Sequence, residues 1–380
     1  MMSNKSKVKK DLDRLISSLQ DVSDWMYDNP ELGFEEYKTS EYLIGYLDSH
    51  GLEVKSPVGG LDTAFSTTLG SSGPLVVLCV EYDALPEIGH ACGHNIIATA
   101  SIGAGLALKG LVDDLKIRVK ILGTPAEEGG GGKIVLLDEG EFEDASCSMM
   151  IHPAPYNVAN PTLTTIQQYK VEYFGKDAHA AGAPQEGINA LDAQIQLFVN
   201  ASTFRQQLPP TNRMHGVILD GGFKPNIIPS YTSSEWYLRA LNGEDLAILE
   251  KKFKNFVEAA ALSTGCTVEI NSPDYRYSEV INNKVMYEIF MENAKDVDRE
   301  MLYEDSSIQG LGSTDMGNIS LAMPSIHPML SIDSGKAVNH QPEFAAATIK
   351  EGGHKAIYDG AYCMATTIVD LAEKNLWSDL

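Results

Sequence analysis

The sequence predicts an α/β protein in which a mostly parallel sheet, flanked by helices, carries an inserted domain of the ferredoxin-like order β-α-β-β-α-β. Three observations predict this fold class. Apolar runs at 74–80 and 145–151, with an alternating run at 116–122, are typical of buried parallel strands between helices. Both ends of the chain show helical periodicity, and the segment 166–271 has a different order of elements.

The two ends of the chain are predicted to be packing helices. Leu12, Leu15 and Leu19 recur at helical spacing, and a second helical segment runs from residue 343 to the C-terminus. The uncharged stretch 95–108 is only 14 residues long. Because a helix needs about 20 apolar residues to span a bilayer, this stretch is predicted to be a buried core helix.

The middle of the chain is predicted to form the inserted domain. Its elements are a strand at 166–175, a helix at 187–207, strands at 213–221 and 231–241, a helix at 244–264 and a strand at 266–271. This order predicts a discontinuous first domain, at 1–165 and 275–380, and a lid at 166–274.

The composition restricts the classes of function. The 380 residues include 52 acidic and 29 basic side chains, a net charge of −23, and 43% of them are hydrophobic. An acidic surface repels phosphate backbones and anionic lipids, so neither nucleic acid nor a membrane is an expected partner. Five widely spaced cysteines and no apolar run after the lysine-rich start predict a cytoplasmic protein.

Cys92 and His94 follow the first apolar run and are the first residues with metal-binding character. Gly93 between them permits an irregular turn, so that both side chains can point into one metal site. A buried small thiol and a hydrogen-bonded histidine would explain the same pair without a metal.

Glu127 and Glu128 follow the next predicted strand and precede four glycines at 129–132, which would let the backbone approach a ligand closely. Two adjacent carboxylates can divide the work of metal ligand and general base, whereas the alternative is a pair of acids placed for a helix dipole. A phosphate loop does not fit, because Ile134 stands where Ser or Thr would hold Mg²⁺.

His152 follows the third apolar run and, taken alone, is more typical of a structural histidine. Three successive strand ends that each offer metal-binding groups are, however, poorly explained by coincidence. Ligands of open α/β sheets bind at the carboxyl ends of the strands, so the sequence predicts a metal site there.

Seven runs, spread over essentially the whole chain, carry a family resemblance. They are PELGFEE (30–36), EYDALPEIGHACGHN (81–95), PAEEGGGG (125–132), HAAGAPQEGINAL (179–191), GGFKPNIIP (221–229), GSTDMGN (312–318) and NHQPEF (339–344). In this order they resemble the amidohydrolase branch of the aminoacylase and carboxypeptidase metallopeptidases, peptidase family M20. Within that branch they are most similar to p-aminobenzoyl-glutamate hydrolase and a β-alanyl-lysine dipeptidase-like group.

The resemblance implies a zinc-peptidase-like catalytic domain with two divalent metal ions per subunit. The implied metal ligands are Cys92, His94, Glu128, His152 and His340. Glu127 falls on the general base, and His179 on a lid residue that stabilises the oxyanion in the other subunit of a homodimer. Asn226 and Arg239 fall on positions that hold the free carboxylate of the substrate. Without the resemblance, these three lid residues would be interpreted as a helix cap, a turn residue and a solvated arginine.

The predicted function is a metal-dependent amidohydrolase that cleaves N-acyl amino acids or small dipeptide-like substrates with a free carboxylate. Glu127 would take a proton from a water that the metals activate. Zn²⁺ is favoured by the mixed ligand set, and Mn²⁺ or Co²⁺ are the alternatives. A dipeptidase for β-alanyl or similar dipeptides is the nearest alternative function.

Two further alternatives belong to other classes. In one, Cys92 is a nucleophile with a histidine base, although a His two residues away is poorly placed for that proton transfer. In the other, the chain is a degenerate, non-catalytic family member that binds a metabolite. That alternative predicts missing ligands, whereas all five implied ligands are present. Three residues depart from the family pattern and leave the acyl side of the substrate open: Tyr27, Glu87 and Asn318.

Overall fold

A computed structural model of the chain describes residues 2–273, 275–304 and 312–380. Within these residues the chain divides into two units. The first contains residues 2–162, 280–304 and 314–380, and the second contains residues 163–273, 275–279 and 312–313.

The α-helices of the described residues are α1 (Asn4–Asp28), α2 (Tyr37–Ser49), α3 (His94–Leu108), α4 (Val112–Leu115), α5 (Gly132–Asp138), α6 (Ala190–Phe204), α7 (Gly243–Thr264), α8 (Lys284–Lys295), α9 (Met316–Ala322), α10 (Pro342–Thr348) and α11 (Glu351–Glu373). Short 3₁₀ turns lie at Pro184–Glu186, Arg205–Gln207 and Trp377–Asp379. The strands are β1 (Phe65–Leu69), β2 (Leu75–Val80), β3 (Arg118–Gly123), β4 (Ala145–Met149), β5 (His152–Ala154), β6 (Val158–Asn160), β7 (Thr165–Phe174), β8 (Ala178–His179), β9 (Arg213–Asp220), β10 (Ile227–Ile228), β11 (Tyr231–Ala240), β12 (Thr267–Asn271), β13 (Leu302–Glu304), β14 (Ser325–Ile326) and β15 (Met329–Ser331).

The first unit contains a five-stranded sheet in the order β1-β3-β2-β4-β14. β2 lies parallel to β3 and β4, and β14 lies parallel to β4, whereas β1, at the edge, is antiparallel to its neighbour. Every residue of β2 is buried, which explains its continuous apolar run. The predicted mostly parallel sheet is therefore confirmed. A second sheet of this unit has the order β13-β6-β15-β5.

α3 is the core helix that the sequence predicts, and all of its residues are buried. It packs between the sheet and the long helices α1 and α11. Small residues allow this close approach: a Cβ added to Gly105 would lie 2.5 Å from Cδ1 of the buried Ile121. No helix in the described part of the chain is both long and apolar enough to cross a membrane.

The C-terminal segment is helical, as its periodicity predicts, but a short break divides it into two helices. α10 ends at Thr348, and α11 begins at Glu351. The chain comes close to itself at this break, because a Cβ on Gly353 would lie 2.0 Å from the carbonyl oxygen of Thr348. Helical periodicity continues across the break and therefore did not reveal it.

The second unit contains an antiparallel sheet in the order β12-β7-β11-β9, with α6 and α7 packed against it. Apart from the two-residue strands β8 and β10, which pair with each other, the order is strand, helix, strand, strand, helix and strand, as in the predicted ferredoxin-like arrangement. α6 begins at Ala190 rather than at 187, because the side chain of Asn189 caps it by accepting a hydrogen bond from the Leu191 N–H. The role of this unit as a lid stays a prediction.

Candidate metal centre and active site

The carboxyl ends of three parallel strands bring the candidate residues of the first unit to one edge of the sheet. Glu81 and Asp83 follow β2, Glu127 and Glu128 follow β3, and His152 follows β4. β4, β2 and β3 are parallel neighbours, so the loops that leave them start side by side. Residues that are far apart in the sequence therefore lie close together at this edge.

Cys92 lies at the centre of two groups of possible ligands. In the first group, one atom each of Cys92, His94 and His152 lies within 4.8 Å of the others. The second group joins Cys92 to Glu128 and His340 within the same distance. All five predicted metal ligands are therefore brought together, and the thiol belongs to both groups.

The ring of His94 is oriented by Asp83. Its Nδ1 lies 2.9 Å from Oδ1 and 2.8 Å from the carbonyl oxygen of Asp83, so Nδ1 carries the proton and donates. Nε2 is buried and has no hydrogen-bond partner among the residues that the structure describes. Gly93 makes the approach possible: it has a φ of 86°, and a Cβ there would lie 2.7 Å from Pro153 Cγ.

His152 is oriented in the same manner by the backbone. Its Nδ1 donates to the carbonyl oxygen of Pro153 at 2.8 Å, and Nε2 lies 3.4 Å from the sulfur of Cys92. Burial lowers the pKa of His152, which favours the neutral ring, the form whose Nε2 can bind a metal ion. His340 reaches the same place from the other end of the chain, with its Nε2 at 3.4 Å from Glu128 Oε1.

The loop with Glu127 and Glu128 is held through its backbone. Asp83 Oδ2 accepts a hydrogen bond from the Glu128 N–H, and Glu36 Oε1 accepts one from the Ala126 N–H, both at 2.9 Å. The four glycines that follow were expected to admit a ligand, but Gly132, the last of them, serves the loop itself. A Cβ at Gly132 would lie 1.9 Å from the carbonyl oxygen of Pro125.

Sequence reasoning missed a buried ion cluster beside the predicted base. The ammonium of Lys133 lies 2.5 Å from Glu81 Oε1 and 2.6 Å from Asp315 Oδ1, and all three side chains have no exposure. Oxygen atoms of Glu81, Glu127 and Asp315 lie within 4.8 Å of one another. Burial alone would lower the pKa of Lys133, but Asp315 and Glu81 raise it well above its ordinary value, so Lys133 is charged.

His327 is a second residue to which the sequence alone assigns no role. It follows β14, which is parallel to β4, and its ring stacks on that of His152 with the centroids 5.4 Å apart. It is fully buried, and within the described part of the chain its two ring nitrogens have no hydrogen-bond partner. A strand of two residues, Ser325–Ile326, is too short to be recognised by its apolar pattern, which explains why His327 was missed.

Negative charge is in excess at this edge of the sheet. Within the described ranges, five carboxylates face one ammonium, that of Lys133; they belong to Glu81, Asp83, Glu127, Glu128 and Asp315. Burial, and then Glu81, Glu128 and Asp315, raise the pKa of Glu127 well above its ordinary value. Buried carboxylates need cations, and the buried Nε2 of His94, which makes no hydrogen bond within the described residues, is an atom that can bind a metal ion. The residues present therefore fit a divalent metal centre.

The three lid residues of the prediction lie in the second unit. His179 is exposed in β8, and its Nδ1 accepts hydrogen bonds from the N–H groups of Ala181 and Gly182 at 3.2 and 3.0 Å. The ring proton is therefore on Nε2, where it can be donated. Asn226 is exposed beside it, with its carbonyl oxygen 3.0 Å from the Ala180 nitrogen.

Arg239 lies on β11 and is partly buried. Its Nη1 donates to Ser313 Oγ at 2.8 Å. Burial lowers its pKa from the ordinary value, so this arginine differs from the solvated one that the strand pattern alone suggests.

A parallel α/β sheet whose carboxyl edge collects thiol, imidazole and carboxylate groups is characteristic of a metal-dependent hydrolase. The chain belongs to the peptidase family M20/M25/M40, whose family model matches residues 78–358. The predicted family, and with it the class of metal-dependent amidohydrolases and peptidases, is confirmed.

Relatives support the same assignment over most of the chain. The Xaa-Arg dipeptidase of Mus musculus is 38% identical over 378 residues, which cover 96% of this chain and 88% of the relative. One of the polypeptides of p-aminobenzoyl-glutamate hydrolase from Escherichia coli K12 is 32% identical over 270 residues, or 66% of this chain and 56% of the relative. The solved structure of a dinuclear metal-binding M20 peptidase from Bacillus subtilis has the same fold, with a TM-score of 0.69, 19% identity and coverage of 94% of this chain and 99% of that one.

The first prediction concerns the ion cluster. Replacement of Lys133 by Met leaves Glu81 and Asp315 buried without their cation, and we expect a loss of about 3–5 kcal/mol in the free energy of unfolding. Urea denaturation followed by circular dichroism measures this loss. Lys284→Met is the control, because Lys284 is exposed and its only described ion pair, with Glu288, lies on the surface. Equal stability of the two variants would contradict the prediction.

Proposed function

We propose that the protein is a dinuclear metal-dependent amidohydrolase that cleaves N-acyl amino acids or dipeptide-like amides with a free carboxylate. One observation carries the proposal: the sulfur of Cys92 belongs to two groups of ligand atoms, and Glu127 lies beside them in a third. One group needs only one ion, whereas two groups that share a ligand suit a pair of ions.

The proposed metal ligands are Cys92 and His152 with His94, and Cys92 with Glu128 and His340. Their mixture of sulfur, nitrogen and oxygen favours Zn²⁺, whereas Mn²⁺ and Co²⁺ would use mainly the nitrogen and oxygen atoms. A bound thiolate needs a reduced cysteine, and all five cysteines are free. A cytoplasmic location is therefore part of the same proposal.

Divalent ions at these ligands would supply Lewis acidity, which polarises an amide carbonyl and makes water in the site more acidic. Glu127 is proposed as the general base that takes the proton of the attacking water. It then returns this proton to the nitrogen of the leaving amine, so that the cleavage of the C–N bond is balanced. Burial and the neighbouring Glu81 raise the pKa of Glu127, and a raised pKa suits a carboxylate that holds a proton between the two transfers.

The substrate proposal combines the lid residues with the relatives. Arg239 and Asn226 would bind the free carboxylate of the substrate, and the Nε2–H of His179 would donate a hydrogen bond to the developing oxyanion. The name of the murine relative describes a dipeptide that ends in arginine. We therefore place dipeptides, with a basic C-terminal residue foremost, beside N-acyl amino acids in the proposed range of substrates.

A homodimer formed through the second unit completes the proposal. β9 is an edge strand, and most of its residues are exposed. Val217 and Leu219 are 55% and 54% exposed, and Phe223, just after the strand, is 85% exposed. An edge strand with exposed apolar side chains is a template for pairing with a second copy, so this surface supports dimerisation.

The second prediction tests the base and the metals together. Glu127→Gln keeps the shape of the side chain but removes the base, so kcat for a dipeptide or N-acyl amino acid should fall about 10²–10⁴-fold. Exhaustive chelation should abolish activity, and Zn²⁺ should restore it. Glu139→Gln, an exposed change at the end of α5, is the control and should keep full activity. Activity that survives both chelation and Glu127→Gln would refute the proposal.

The third prediction tests whether His179 serves the other subunit. His179→Ala and Arg239→Ala should each be inactive alone. If each site takes His179 from one chain and Arg239 from the other, subunit exchange should restore about a quarter of the activity, because half of the dimers are mixed and half of their sites are intact. Hydrolysis is measured before and after exchange. No recovery in verified heterodimers would show that both residues act from the same chain.

A further inference from the structure

The run PELGFEE (30–36) has no role in the proposed chemistry, yet its last glutamate is fully buried. Glu35 and Glu36 are neighbours in the sequence, but Glu35 is exposed and Glu36 has no exposed surface. A buried carboxylate is costly unless it is hydrogen-bonded. The partners of Glu36 therefore indicate what it is for.

Both carboxylate oxygens of Glu36 are engaged. Oε2 accepts a hydrogen bond from Thr63 Oγ1 at 2.8 Å, and Oε1 accepts one from the Ala126 N–H at 2.9 Å. Ala126 has a φ of 57°, a left-handed conformation that costs about 1–2 kcal/mol for a residue with a Cβ. The bond from Glu36 thus holds the backbone in a strained conformation directly before Glu127.

A second carboxylate holds the backbone on the other side of Glu127. Asp83 Oδ2 accepts from the Glu128 N–H, while Asp83 Oδ1 accepts from the ring of His94. The N–H groups of the residues before and after Glu127 are therefore each bonded to a buried carboxylate. We call Glu36 and Asp83 the carboxylate clamp.

The rest of the 30–36 run is fitted to the same loop. A Cβ on Gly33 would lie 3.0 Å from the Cβ of Ala126, and a Cβ on Gly130 would lie 2.7 Å from Cε2 of Phe34. Gly33 and Gly130 thus let the two segments touch. These close contacts leave no room for the loop to follow a different path at Ala126.

We propose that Glu36 is a positioning residue, which fixes the strained turn at Ala126 and thereby aims the carboxylate of Glu127 at the reacting water. The proposal rests on the proposed function of Glu127. It assigns the PELGFEE run a part in catalysis that requires no contact between Glu36 and the substrate. Loss of the Glu36 side chain should therefore lower kcat and leave KM nearly unchanged, because the turn orients the base and does not bind the substrate.

Three variants separate positioning from general packing. Glu36→Ala removes both hydrogen bonds, and we expect kcat to fall about 100-fold with KM and metal content nearly unchanged. Glu36→Gln keeps both contacts, because its amide oxygen can accept from Ala126 and its amide N–H can donate to Thr63; kcat should stay within about fivefold of the original. Glu35→Ala is the matched control and should have no effect.

Hydrogen–deuterium exchange of peptides that cover 124–132 gives a readout that does not depend on activity. Exchange there should accelerate in Glu36→Ala but not in Glu36→Gln or Glu35→Ala. If the unaltered protein shows no chelator-sensitive hydrolysis, the proposed function fails, and exchange alone decides on the clamp. Unchanged exchange in Glu36→Ala, or a loss of kcat as large in Glu36→Gln as in Glu36→Ala, would overturn the inference.

Discussion

Excess negative charge, buried at the carboxyl edge of the parallel sheet, is the constraint on which the rest of the site depends. Glu81, Glu127 and Asp315 meet there, and Lys133 is the ammonium that is bonded to two of them. The single ammonium of Lys133 cannot by itself balance these carboxylates together with Glu128 and Asp83. Thiol and imidazole groups lie beside these carboxylates, and divalent ions at those groups would supply further positive charge.

Asp83 connects the parts of this site. Its two oxygens accept from the ring of His94 and from the Glu128 N–H, and so it fixes a ligand on one loop and the course of another. Glu36 adds a third loop through Ala126. Hydrogen bonds to these carboxylates therefore connect segments that are far apart in the sequence. Replacement of Asp83 or Glu36 should change the position of the Glu127 side chain.

Much of this arrangement could be predicted from the sequence, for physical reasons that are specific to each part. Cys92, Glu127, Glu128 and His152 follow apolar runs, and the geometry of parallel strands converts that order into proximity. His340 follows no such strand and was found only through the family resemblance. Lys133 and Asp315 were missed because burial of an ion pair leaves no periodic signal in the sequence. Glu36 was missed because nothing in the sequence distinguishes this buried glutamate from Glu35, its exposed neighbour.

The proposed function requires that the two groups of ligand atoms that have Cys92 in common would each hold a divalent ion. Elemental analysis of the purified protein, after equilibration with Zn²⁺ and removal of free metal, tests it most directly when the original chain and Cys92→Ala are compared. We expect two ions per chain in the original protein and fewer than one in Cys92→Ala, because both groups of ligands lose their common atom. Two ions in each of the two proteins, or none in either, would contradict it.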